Sequence, residues 1–191
     1  MTCLILIRHG ETDWNVEGRY QGQSDVPLND RGRRQSAELA AVLREREPSV
    51  IYCSDLRRAG ESAEILGRAL GLCVYQDSRL REIHLGSWEG MLFEDIQTKF
   101  SELLKLRKLD PRTVSAPGGE TVEQVQIRVM AAIRDIVERH PNETVAIVSH
   151  GLPLAILIAH DQDRPIEEVW DLIPQNSTLF AMSVESFHGL G

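Results

Sequence analysis

Apolar positions along the chain fall into two spacings that take turns. TCLILI (residues 2–7), SVIYCS (49–54), TVAIVS (144–149) and TLFAMSV (178–184) are short, nearly continuous apolar runs, and CVYQ (73–76) is a shorter one. Runs of this length read as strands, the unbroken ones as strands buried on both faces. Between them lie helical periodicities. A stripe through Leu39, Ala40 and Leu43 follows the cap candidates Asn29 and Asp30 and extends to about Glu47. LRRAGESAEILGRAL (56–70) reads as a second helix, closed by Gly71. Residues 91–108 have helical periodicity, TVEQVQIRVMAAIRDIVERH (121–140) opens on a capping box from Thr121 to Gln124, and GLPLAILIAH (151–160) follows. Strands alternating with helices predict an α/β layered domain with a largely parallel sheet. No internal repeat interrupts the alternation.

Length and charge narrow the reading. A chain of 191 residues suits one domain, residues 1–191, with room for an elaborated insertion. The net charge of −8 argues against nucleic acid as a partner, because binding to a phosphate backbone needs a basic face. The longest apolar stretch, residues 146–159, is broken by Ser149, His150 and Pro153 and is too short to span a bilayer, so no membrane partner is expected. The start of the chain has no charged leader followed by an apolar segment and a cleavage site, which predicts a cytoplasmic location. Cys3, Cys53 and Cys73 sit in strand-like apolar surroundings and are odd in number, which suits buried free thiols rather than a structural disulfide.

Against this acidic background, the strand ends stand out. TCLILI stops at Arg8, His9 and Gly10, SVIYCS is followed by Arg57 and Arg58, and TVAIVS runs into His150. Ligands of open α/β sheets gather beyond the carboxyl ends of the strands, where helix N-termini also point. Cationic side chains at three such ends predict a site for an anion, phosphate above all. Taken singly, each has a plain structural explanation: Gly10 in a turn conformation closed to other residues, Arg57 and Arg58 as solvated first-turn side chains, His150 as a satisfied buried histidine. Their convergence on one face is what points to a site.

These segments resemble, in order, the signature segments of the histidine phosphatase superfamily, also called phosphoglycerate mutase-like, over nearly the whole chain. LIRHGETDWN looks like its nucleophile signature and QGQSDVPLNDRG like the loop and helix start that follow. SDLRRAGESAEIL resembles its second arginine motif, REIHLGSWEG its acid loop, PGGET the turn before its long helix, and VSHG its second histidine motif. The resemblance implies a three-layer α/β/α sandwich around the sheet, with a small helical cap inserted at about residues 86–120. It makes His9 the nucleophile flanked by Arg8, Arg58 the second phosphate clamp, His150 the partner histidine and Glu82 the proton donor. Asn15 and Gly151 join Arg8, Arg58, Glu82 and His150 in holding substrate. Arg57 is left as an outer residue. Glu89 is a rival acid better suited to a tight turn.

The chemistry requires this mixture. A phosphate monoester repels nucleophiles with its own negative charge, so catalysis rests on positioning and charge stabilisation. Two arginines and a protonated His150 are expected to supply the charge, while His9 must be neutral to attack. No cofactor is implied, and the six histidines show no metal-ligand spacing. His84 lies near Glu82 and reads as a surface histidine; His140, His160 and His188 read as structural.

Within the cap, Met91, Leu92 and Phe93 are candidates for an apolar wall, and Lys99, Lys105, Arg107 and Lys108 for contact with a second anionic group, against the plainer reading of core and solvated residues. The expected activity is metal-independent hydrolysis of a small-molecule phosphate ester through a phosphohistidine, with resemblance to the bacterial broad-specificity or α-ribazole phosphatase branch. A phosphoserine phosphatase, a phosphoglycerate mutase and a catalytically silent phosphate-binding module stay open, as does a homodimer.

Overall fold

The computed structural model describes residues 1–184. Strands β1 (Thr2–Arg8), β2 (Val50–Cys53), β3 (Val74–Gln76), β4 (Thr144–Ser149) and β5 (Leu179–Val184) form one sheet in the order β3-β2-β4-β1-β5. The first four are mutually parallel, and β5 runs antiparallel along the outer edge of β1. Seven α-helices accompany them among the described residues: α1 (Asp13–Glu17), α2 (Asp30–Arg44), α3 (Arg57–Leu70), α4 (Phe93–Lys99), α5 (Ser101–Leu109), α6 (Val122–Arg139) and α7 (Gly151–Asp161).

The two-residue period of a strand sends its side chains to opposite faces, and here both faces are covered. Ile5, Ile7, Ile51 and Val148 pack against Ala40 and Leu43 of α2 and Ala59, Ala63 and Leu66 of α3. Leu4, Leu6, Tyr52 and Ile147 join the larger core built with α6 and α7. The result is the expected α/β/α sandwich. Among the described residues, no helix is long and apolar enough to cross a membrane.

Local signals act as expected at several ends. Asn29 caps α2 by accepting from the Gly32 N–H at 2.8 Å, Gly71 closes α3 at φ 71°, and Thr121 and Gln124 form the capping box of α6. Three expectations are corrected. Helix α2 ends at Arg44, short of Glu47, whose φ of 49° lies in the left-handed region. Residues 91–108 form two helices, because Phe100 breaks the run at φ −129° and ψ 31° and lays its ring 5.7 Å from that of Trp88. Only Cys53 is a buried thiol; Cys3 is half-buried, and Cys73 is exposed just before β3, the edge strand.

The stretch expected as a cap is closed at its base. The Ser87 N–H donates to the Pro117 carbonyl at 3.0 Å and the Glu120 N–H to the His84 carbonyl at 2.8 Å. Gly86, at φ 52°, lies so near residues 117–119 that a Cβ would fall 2.2 Å from the Pro117 oxygen. Helices α4 and α5 rise from this closed base. His188 lies outside the described residues.

Candidate active site

Strand register brings the two histidines together. In the parallel β1–β4 pair Arg8 stands opposite Ser149, so His9 and His150 leave adjacent strands at the same level. Their ring centroids are 5.1 Å apart, and the His9 N–H donates to the Ser149 carbonyl at 3.0 Å. Gly10 follows, and its role differs from the expectation. It does not use a left-handed conformation. A Cβ there would lie 2.3 Å from the Gly32 carbonyl oxygen, so glycine is required because the turn after β1 packs backbone to backbone against the first turn of α2.

The hydrogen bonds around His9 select its tautomer. Nδ1 lies 2.7 Å from the Gly10 carbonyl, which can only accept, so Nδ1 carries the proton. Nε2 is left with a lone pair, and the Arg58 Nε–H donates to it at 3.3 Å. Burial, then the charges of Arg58 and Arg8, push the His9 pKa well below 6.5 against the opposing bond to Gly10. His9 is therefore neutral with Nε2 basic, the form the expected attack requires.

Arg58 is fixed by the loop it crosses. Its Nη1 and Nη2 donate to the carbonyls of Ser24 and Gly22 at 2.9 and 2.8 Å, and burial lowers its pKa to about 10 although Glu82 raises it. Arg8 donates through Nη1 to the Pro174 carbonyl at 2.6 Å, while its buried Nε has no partner among the described residues. His150 is fully buried, and neither ring nitrogen has a hydrogen bond among the described residues. Burial, then the guanidinium charges of Arg58 and Arg8, hold its pKa well below 6.5. The expectation of a protonated His150 is thus corrected for the free site, where the surrounding guanidinium charge favours the neutral ring. Buried polar atoms without partners suit a ligand that supplies acceptors and negative charge.

Glu82 sits across from these groups on a loop pinned from several sides. Its Oε1 accepts from the Ile83 N–H at 2.9 Å and its Oε2 from the Leu152 N–H, in the first turn of α7, at 3.4 Å. Arg128 of α6 donates to the carbonyls of Arg79, Arg81 and Glu82, and the Ser149 hydroxyl donates to that of Leu80. Gly151 stands where α7 begins, and a Cβ there would lie 3.5 Å from Glu82 Oε2 and 3.0 Å from Ile173. Asn15 closes the capping box of α1, a short helix that the apolar pattern did not predict. Its Oδ1 accepts from the Thr12 N–H at 3.1 Å, and Asn176 Nδ2 reaches it at 3.4 Å.

A cavity of about 350 Å³ joins Arg8, His9, Asn15, Arg58, Glu82 and Gly151. Fully buried His150 stands behind its wall, against His9. Of the cap candidates, Phe93 and Arg107 line the cavity and the others do not. Met91 packs on the core, and Leu92 pairs with Arg19 in an isolated bridge. Lys99 and Lys105 pair with Asp95 and Glu102 on their own helices, and Lys108 is exposed. His84 lies outside the cavity, 3.7 Å from Glu89. Glu89 has a turn-building role, accepting from the Gln23 and Leu85 N–H groups and the Ser24 hydroxyl. Arg57 is exposed and pairs with Glu61. Trp14, Tyr20, Gln21 and Trp170 complete the wall without having stood out in the sequence. Trp14 and Gln21 lay inside recognised motifs, LIRHGETDWN and QGQSDVPLNDRG; Tyr20 and Trp170 are joined by long-range packing. Among the described residues, no group of three His, Cys, Asp or Glu is placed to hold a metal ion.

Comparison with known proteins identifies the family. The chain is 34% identical over 185 residues to phosphoserine phosphatase 1 of Hydrogenobacter thermophilus, covering 97% of this chain and 88% of the relative. It is 38% identical over 171 residues to phosphoglycerate mutase-like protein 4 of Arabidopsis thaliana, covering 87% and 74%. The solved structure of YhfR from Bacillus stearothermophilus superposes with a TM-score of 0.89 at 39% identity, covering 98% of this chain and 95% of that one. The family model described as histidine phosphatase superfamily (branch 1) matches residues 4–188, so the strand-end histidines and arginines sit in a chain that belongs to that superfamily.

Proposed function

We propose that the protein is a metal-independent phosphomonoesterase that hydrolyses small phosphorylated metabolites through a phosphohistidine on His9. The observation that carries this reading is the lone pair of His9 Nε2, directed by Arg58 beside the unpartnered polar atoms of Arg8 and His150. Likeness to a protein named as a phosphatase supports the same class of reaction.

In the first half-reaction Nε2 attacks phosphorus in line, the ester P–O bond breaks, and Glu82 in its acid form gives a proton to the departing oxygen. The products are a free alcohol and phosphohistidine. In the second, water attacks the phosphohistidine, Glu82 takes its proton, and inorganic phosphate leaves with His9 restored. Arg8 and Arg58 balance the charge on the equatorial oxygens, the task a divalent ion performs at other phosphotransfer sites. His150 donates an N–H to the same oxygens, and the dianion raises its affinity for a second proton. Asn15 and the first-turn N–H groups of α7 beside Gly151 add donors at the rim.

A panel of phosphate esters assayed for released phosphate tests the reading. On 3-phosphoglycerate, phosphorus NMR should show inorganic phosphate rather than 2-phosphoglycerate. A 2-phosphoglycerate signal growing faster than inorganic phosphate would identify a mutase instead, and no turnover of any ester would identify a binding module.

A further inference from the structure

Arg107 projects from α5, in the cap, into the cavity that holds His9. It is only 4% exposed, yet it makes no hydrogen bond or ion pair within the described residues, and its Nε is buried without a partner. The other cationic side chains of the cap lie at the surface, where Lys99, Lys105 and Arg112 find carboxylates. A buried guanidinium without a counter-ion is costly to keep, and a protein that retains one has a use for its charge.

What surrounds Arg107 orients it rather than neutralises it. Its guanidinium carbon lies 4.5 Å from the ring centroid of Trp170 and 6.0 Å from that of Trp88, so two indoles steady it through their π faces. The Trp170 indole N–H, on the same cavity wall, is also buried without a partner. Burial lowers the Arg107 pKa, with Tyr20 and Glu82 raising it, which places the guanidinium within electrostatic reach of the acid loop; arginine keeps its charge in proteins. The cavity wall also includes apolar Leu85, Leu152 and Ile173.

We propose that Arg107, with the Trp170 N–H beside it, forms a second anion subsite that binds a carboxylate on the leaving group. The favoured substrates are then phosphomonoesters of small hydroxy acids. This rests on the phosphatase reading for its first subsite and adds the chemistry of the rest of the substrate. A single planar guanidinium matches the charge and the fork of a carboxylate. A second phosphate would bring a dianion to one positive charge, and a neutral alcohol would leave that charge unanswered.

The test compares 3-phosphoglycerate with glycerol 3-phosphate, which replaces the carboxylate with a hydroxymethyl group. The wild type should favour the carboxylate ester in kcat/KM by about 10- to 100-fold, the range of a buried charge-assisted hydrogen bond. In Arg107→Gln the preference should collapse, mostly through KM for 3-phosphoglycerate. Trp170→Phe, which keeps the ring against the guanidinium, should lose part of the preference and serves if Arg107→Gln fails to fold. Calorimetric titration of His9→Asn with both esters reads the subsite without turnover, so a wild type that hydrolyses no ester of the panel refutes the phosphatase reading while the binding preference still decides the subsite. Equal wild-type handling of the two esters would overturn the proposal. Proportional losses on both in Arg107→Gln, or tighter binding of 1,3-propanediol bisphosphate than of 3-phosphoglycerate, would do so as well.

Discussion

The Nε–H of Arg58 points at Nε2 of His9 from 3.3 Å, so the same guanidinium that is placed to meet phosphate also keeps the neighbouring imidazole unprotonated. An arginine in this position acts twice. It adds to burial in suppressing the His9 pKa while the site is free, and in the proposed mechanism it presents charge to the phosphoryl group once substrate arrives.

Arg58→Ala should separate these effects. Removing the charge raises the His9 pKa toward the usual value near 6.5, so the acid limb of the kcat/KM profile should move to higher pH. At the optimum, kcat/KM should fall about 100-fold or more from lost transition-state stabilisation. An acid limb that stays in place would mean that the limb does not report His9.

Glu82→Gln keeps the side chain's shape and removes its proton chemistry. Esters of aliphatic alcohols should lose far more rate than p-nitrophenyl phosphate, whose phenolate departs with little help. Burst kinetics would first establish that breakdown of the phosphoenzyme is not limiting for both. Equal losses would rule out acid catalysis by Glu82.

His9 and His150 should also make the fold sensitive to acid. Both are held neutral far below 6.5 when folded, whereas an unfolded chain takes up protons at these residues as the pH drops through 6.5. The unfolded state then binds more protons, so stability is fully present above about pH 6.5 and is lost below it, by about 1.4 kcal/mol per histidine for each pH unit. Thermal unfolding between about pH 7.5 and 5.5 should show a shallower decline for His150→Gln than for the wild type. Identical slopes would count against a buried neutral His150.

Gly10→Ala probes the backbone contact beneath the nucleophile. A Cβ 2.3 Å from the Gly32 oxygen forces the turn after β1 away from α2, at a cost of about 1–3 kcal/mol, and tilts His9 off the Arg58 axis. A lowered Tm and a lowered kcat should appear together. A variant with wild-type values of both would show that the two backbones are not so closely packed.

The architecture was legible because its signals are local: unbroken apolar runs for β1 and β4, the cap at Asn29, the stop at Gly71 and the box at Thr121. His9, Arg58 and His150 were legible as well, since strand ends of a parallel sheet share one side. Features set by distant packing were not. Arg107 was one of four basic cap candidates for a second anion, and nothing local separated it from Lys99, Lys105 and Lys108; the packing of its guanidinium over Trp170 does. Gly10 read as a turn residue because nothing nearby announces that Gly32 faces it. Helix α1 is a single capped turn, too short for periodicity to register, and the break at Phe100 reflects its ring docking on Trp88 rather than any helix-stop residue.

The central claim is covalent transfer to His9, and trapping the intermediate tests it most directly. Enzyme mixed with phosphorus-labelled ester and quenched in alkali within one turnover should carry an acid-labile, alkali-stable label approaching one per chain, which peptide mapping places on His9 and which His9→Ala lacks. A wild-type enzyme that completes a single turnover of ester with no such label at any time point would contradict the account.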